Sequence, residues 1–244
     1  HTDMKESLEA AIKRVVDLGY ADPKRVGLHG GSFSGQGGAY LATTSKAFAA
    51  IAIRAAAVDL VADFNQLWKT SGTSQHRFDI YGQGRFGTNP FDNLELYMDQ
   101  SALFHAKTMD TPLLILQGTN DGSTEWLQGV EFYNALRFLK KPVIFLSYEG
   151  EAHGFTRYEN QYDFMMRLHQ FYDHHLKGQP AAEFPSQFFG ERQAKSEPGF
   201  GPARIPHRPV KRVEDPVPLR LRHSGSVIAN AQFQGFPLAK THAP

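Results

Sequence analysis

Cysteine is absent from the 244 residues. That excludes disulfides, zinc–thiolate sites and a thiol nucleophile, and it leaves the compartment open, since many secreted enzymes also do without it. No run of 18 apolar residues occurs, so no membrane-spanning helix is expected. An excess of charge of one sign is missing too: 26 Lys and Arg stand against 25 Asp and Glu, a formal net charge of +1. Nothing global therefore draws the chain toward nucleic acid or an anionic membrane, and neither is expected as a partner. Internal repeats are lacking as well, which argues against a solenoid. What is present, 41% apolar and 21% charged residues, is ordinary for a globular domain of this length.

Apolar spacing sets the elements. Leu8, Ala11, Ile12, Val15 and Val16 keep the spacing of a one-faced helix, with Gly19 as its stop. Val26 to His29 is a short apolar run ending in glycines and reads as a strand. A helix follows from Gly35 to about Lys46. Ile51-Ala52-Ile53, Leu113 to Leu116 and Val143 to Leu146 are continuous apolar runs, the pattern of strands buried on both faces. Helical spacing returns at Trp126, Val130, Tyr133 and Leu136, and again from Tyr158 to Leu176. Strand and helix thus alternate through residue 178, which predicts an α/β fold: a doubly wound parallel sheet with helices on both faces. Residues 59 to 107, rich in aromatics and loop formers, break the beat and read as an excursion over the ligand edge of the sheet. From residue 179 to 244 the character changes, because all the prolines except Pro23, Pro90, Pro112 and Pro142 fall there among scattered arginines. This second segment is expected to be a largely disordered tail.

The strongest local signal is Val26-Gly27-Leu28-His29-Gly30-Gly31-Ser32-Phe33-Ser34-Gly35, a strand, a Gly-x-Ser-x-small turn and a helix. A serine on so tight a strand-to-helix turn needs small residues two before and two after it, so that the two backbones can approach. Gly30 and Ser34 fill those places, Ser34 standing where glycine is usual. Ser32 is the candidate nucleophile, and the Phe33 N–H, at the start of the helix, is the expected first donor of an oxyanion hole. A phosphate loop is disfavoured, since no Gly-Lys-Ser/Thr follows and the glycines lack Gly-x-Gly-x-x-Gly spacing.

A serine nucleophile needs a base, and the base an orienting carboxylate, in the chain order serine, acid, histidine when the sheet is of this kind. Straight after the strand at 113 to 116 comes Gln117-Gly118-Thr119-Asn120-Asp121-Gly122, and after the strand at 143 comes Glu149-Gly150-Glu151-Ala152-His153-Gly154-Phe155. Asp121 and His153 are the candidate acid and base. Glu149 or Glu151 would serve as the acid only with a base elsewhere. His29 lies inside a strand, His169, His174 and His175 belong to a helix, and His76 and His105 sit in the excursion. Asp173-His174-His175 lacks a third ligand at a sensible spacing, so no metal and no cofactor is expected. The tail arginines, Arg204, Arg208, Arg220 and Arg222 among them, lack the aromatic or helical order of a nucleic-acid arm.

These motifs resemble the prolyl oligopeptidase family of serine peptidases, in its carboxyl-terminal catalytic domain. The resemblance runs over about residues 4 to 178. It rests on Ala21-Asp22-Pro23-Lys24-Arg25-Val26-Gly27 leading into the elbow, on Thr111 to Gly122 as the acid loop, and on Tyr148 to Phe155 as the histidine loop. The segments Asp92 to Tyr97 and Ser101 to Ala106 add to it, while Gln117 stands where histidine is frequent. The resemblance implies an α/β-hydrolase fold and hydrolysis of peptide bonds through an acyl-serine intermediate, with small acyl esters as the alternative substrate class. It also implies parts that this sequence does not contain: the strands ahead of the nucleophile strand, which carry a second oxyanion-hole donor, and the β-propeller. Without those strands the edge at Val26 is expected to lie open, and an open edge invites pairing with another copy of the chain. An inactive fragment of a catalytic domain is the remaining alternative.

Overall fold

The computed structural model describes residues 1–182 and 228–230. Four central strands, β1 (Gly27–Gly31), β2 (Ala50–Arg54), β5 (Leu113–Gly118) and β6 (Val143–Tyr148), are joined by α2 (Phe33–Thr44), the excursion and α6 (Trp126–Phe138). Helix α1 (Thr2–Asp17) precedes them and α7 (Tyr158–Lys177) follows. The sheet order is β6-β5-β2-β1-β7, with β7 at Ile228–Asn230, and every pairing is parallel. All these strands therefore end on one edge, where the connecting loops gather.

Successive side chains of a strand face opposite sides of the sheet, and here both sides are buried. Leu28, Ile51, Ile53, Leu113, Ile115 and Phe145 pack with Ala39, Leu41 and Ala42 of α2 and Phe132 and Leu136 of α6, while Leu8 and Ile12 of α1 join the same cluster. Ala50, Ala52, Leu114, Leu116 and Leu146 face Phe171, Tyr172 and Leu176 of α7. This is the expected doubly wound layering, and it explains why the strands read as continuous apolar runs rather than alternating ones. The small residues on the α7 side let Tyr172 reach the sheet, where its hydroxyl accepts from Ala52 N at 3.1 Å and donates to Leu28 O. Gly27 has to stay small, since a Cβ there would stand 2.8 Å from the Tyr172 ring. Leu114 has no exposed surface, so Leu114→Ala is expected to lower stability by about 2–5 kcal/mol, read as a shift in the urea midpoint.

The excursion has its own small core. Helices α3 (Leu60–Phe64), α4 (His76–Ile80) and α5 (Leu94–Gln100), with a two-stranded β3–β4 ribbon (Leu67–Trp68 and Thr73–Ser74), fold around Leu60, Phe64 and Tyr97. Val58 N and Asp59 N both donate to Gln128 Oε1, at 2.8 and 2.9 Å, which ties the start of the excursion to α6. No helix among the described residues is long and apolar enough to cross a membrane.

Where the sequence predicts no regular structure, Ile228–Asn230 form β7 and pair with Gly27–His29 of β1. The edge of β1 expected to lie open is thus covered along those residues. The physical reason is the row of unpaired N–H and C=O groups that an edge strand presents, which any short extended segment can satisfy. The rest of the tail, for which disorder is expected, lies outside the described residues.

Candidate active site

The turn between β1 and α2 puts Ser32 at φ 57°, ψ −127°. That conformation is rare for a residue with a side chain, and it is held from both sides. Ser32 N donates to Arg54 O at 2.9 Å, and Ser32 O accepts from Gln36 N at 2.9 Å as the first bond of the helix. Gly30 is obligatory, because a Cβ there would lie 2.2 Å from Ser34 O. Ser34 is accommodated because its hydroxyl bonds back into the turn, donating to Gly31 O at 2.8 Å and accepting from Gly31 N at 3.1 Å. Phe33 opens α2, so its N–H belongs to the first turn, whose amides have no partner within the helix and suit a developing anion.

The structure brings the three sequence-selected side chains together. Ser32 Oγ lies 2.9 Å from His153 Nε2, and His153 Nδ1 lies 3.0 Å from both oxygens of Asp121. The Asp121 side chain is fully buried, whereas that of His153 is 30% exposed. Asp121 Oδ1 also accepts from Ser123 N at 2.9 Å and Thr124 N at 3.0 Å, so the loop after β5 folds around its own carboxylate. Gln117 closes the same loop by donating from Nε2 to the carbonyls of Thr124 and Glu125 at 3.1 and 3.2 Å.

Two charged residues brace the histidine loop. Glu151, two residues before His153, is buried and accepts from Thr156 N at 2.7 Å, Arg157 Nε at 2.8 Å and Asn160 Nδ2 at 2.6 Å. It is therefore engaged as a brace on the far side of the loop, while Asp121 meets the imidazole. Burial pushes the Glu151 carboxyl up, but hydrogen bonds from Arg157, Thr156 and Asn160 outweigh it and hold the group at about 2, below the ordinary 4.5. A carboxyl lowered in this way stabilises the fold above its unfolded value and loses that contribution as pH falls through the folded one. Glu151→Gln is accordingly expected to lose stability at pH 7 and to show a flatter decline of thermal midpoint between pH 4.5 and about 2 than the parent chain. Arg54, at the end of β2, donates from Nη1 to His153 O while its own carbonyl holds Ser32 N, so a single residue ties the serine turn to the histidine loop. Burial lowers its guanidinium and Asp121 nearby opposes that shift.

The remaining histidines lie elsewhere. His29 is inside β1, and burial, followed by the charge of Arg54, lowers it to about 4. His76 stacks on Phe64 with ring centroids 4.2 Å apart, and His105 Nε2 is 2.7 Å from Asp99 O. In α7, Asp173 pairs with Lys177 at 2.7 Å, and His174 Nδ1 lies 2.7 Å from Gln179 O. Arg54, Gln75 and Asp63 do not stand out in the sequence, and Trp68 does not stand apart there from the other excursion aromatics. A charge ending the apolar run Ile51-Ala52-Ile53 was the available signal for Arg54; the others become visible only once the excursion is folded.

A parallel sheet layered by helices on both faces, with a serine turn, an acid loop and a histidine loop meeting at its carboxyl edge, defines an α/β-hydrolase domain. The model of the prolyl oligopeptidase family matches residues 3–179, and the chain belongs to that family. An uncharacterized peptidase of Bacillus subtilis is 25% identical over 72% of this chain and 26% of its own length. The acylamino-acid-releasing enzyme of Mus musculus is 27% identical over 68% of this chain and 22% of its own. Among solved structures, a puromycin-hydrolyzing peptidase of Mycobacterium tuberculosis superposes with a TM-score of 0.61 at 30% identity, covering 71% of this chain and 25% of that one. The chain thus spans about a quarter of the length of these relatives.

Proposed function

We propose that residues 1–178 are the later part of the catalytic domain of a serine peptidase that cleaves peptide bonds through an acyl-Ser32 intermediate. The observation that carries this reading is the hydrogen-bonded line from Ser32 Oγ through His153 to Asp121, at 2.9 and 3.0 Å. In the forward step His153 Nε2 takes the hydroxyl proton as Ser32 Oγ attacks the substrate carbonyl carbon. Asp121 accepts the Nδ1–H, which fixes the tautomer and stabilises the imidazolium that forms. The Phe33 N–H is one donor to the resulting oxyanion, in a position where one such donor is worth roughly 3 kcal/mol. His153 then delivers the proton to the leaving amine, and water repeats the sequence to release the acid.

Labelling with a fluorophosphonate, followed by mapping of the modified peptide, tests the nucleophile, and modification at Ser32 is the expected result. Parallel assay of a dipeptidyl anilide and a short-chain aryl ester tests the bond class. Turnover of both supports a peptidase, whereas ester turnover without amide turnover replaces it with an esterase. Absence of label on Ser32 in well-folded protein would instead favour an inactive chain.

A further inference from the structure

Beside Ser32 lies a small cavity of about 30 Å³, lined by Ser32 and Phe33 together with Asp63, Trp68, Gln75 and Phe78 of the excursion. A space of that size holds one or two waters or a single ammonium group. Its chemistry is lopsided. Asp63 is 2% exposed, and its Oδ1 has no hydrogen-bond partner. Gln75 is already engaged, its amide donating to Ser123 O at 2.7 Å and its carbonyl accepting from the Trp68 indole N–H. Besides burial, the influences on Asp63 are the carboxylates Asp79, Asp59 and Glu125, and all of them push it well above the ordinary carboxylate range. Asp79 behind it is fully buried, and neither of its oxygens has a partner.

An unpartnered buried carboxyl in a negative field is costly unless something completes it, and a cation does so twice over, by hydrogen bond and by charge. The walls are compatible with the same guest, because Trp68 and Phe78, with ring centroids 6.1 Å apart, both line the cavity and aromatic rings attract an ammonium. A residue acylating Ser32 carries its side chain into whatever space adjoins the hydroxyl. We infer that this cavity selects an acyl residue with a short, ammonium-terminated side chain, and that Asp63 is the residue that receives it. The inference rests on Ser32 being the nucleophile, as proposed above.

The test compares Nα-acetylated anilides of 2,4-diaminobutyric acid and ornithine with those of norvaline and norleucine, their uncharged counterparts of equal length. Blocking the α-amine leaves the side chain as the only cation. The expected kcat/KM is at least about tenfold higher for the cationic member of each pair, and Asp63→Asn is expected to bring the ratio to near one. Equal or better turnover of the neutral member, or a cation preference that survives Asp63→Asn, overturns the inference. Should Asp63→Asn fail to fold, the comparison within the unmodified chain decides by itself. Fluorophosphonate labelling of Ser32 separates the two levels: labelled protein without a cation preference ends only this inference, whereas unlabelled protein ends the proposed function and this inference with it.

Discussion

Ser32→Ala and His153→Ala are each expected to lower kcat by about 10⁴-fold or more, and the double variant to be hardly worse than either single one. Non-additivity is the informative part. If the hydroxyl and the imidazole 2.9 Å away act in one step, removing either leaves the other without a task. If they were unrelated, their losses would multiply. Asp121→Asn belongs to the same set, since an amide in place of the carboxylate favours the wrong tautomer at Nδ1, with a loss of about 10⁴ in the best-studied serine triad. Steady-state turnover of an anilide, with residual activity measured against buffer alone, reads all of these. Circular dichroism and the thermal midpoint provide the check on folding. A double variant that loses the product of the two single effects would separate Ser32 from His153 and remove the basis of the mechanism.

The site was legible because its chemistry is local in the chain. Each of Ser32, Asp121 and His153 sits on a loop straight after a buried strand, and those strands announce themselves as apolar runs, so the parallel sheet and the meeting point follow from one pattern. Arg54 does not stand out as a brace because its contact with His153 O joins segments far apart in sequence, and Glu151 does not because its partners, though close in sequence, are brought to it only by the turn into α7. Nothing near Glu151 tells that Arg157, just ahead of the following helix, and Asn160 within it will take up its oxygens. The cavity at Asp63 was hidden for a different reason. Helices α3 and α4 have five residues each, too short to show a period, so the side of the excursion that turns toward Ser32 is decided by packing around Phe64 and Tyr97. β7 was invisible because three residues are too few to show an alternation and its pairing depends on the unsatisfied edge of β1.

Gly118→Ala is the expected test of how closely the acid and histidine loops have to approach. Gly118 ends β5, and a Cβ added there would stand 2.1 Å from Glu151 O, 2.6 Å from Glu151 C and 2.8 Å from Ala152 O. These are backbone atoms, so no rotamer relieves the overlap and the histidine loop has to move. The loop is pinned at this point, since Asn120 N donates to Glu151 O at 2.9 Å and the Glu151 side chain is fixed by Arg157, Thr156 and Asn160. Displacement therefore passes along the chain to His153, two residues on. A shift of about 1 Å in a positioned group is enough for roughly 100-fold in rate, and overpacking of this kind costs about 1–3 kcal/mol in stability. The expected result is a loss of at least about 100-fold in kcat/KM with a lower urea midpoint. Gly154→Ala supplies the contrast: it adjoins His153 directly, yet a Cβ there meets nothing within 4 Å, so its activity is expected to stay within a few-fold of the parent chain. A fully active Gly118→Ala, or a Gly154→Ala as damaged as Gly118→Ala, would show that the spacing of these two loops does not govern the imidazole.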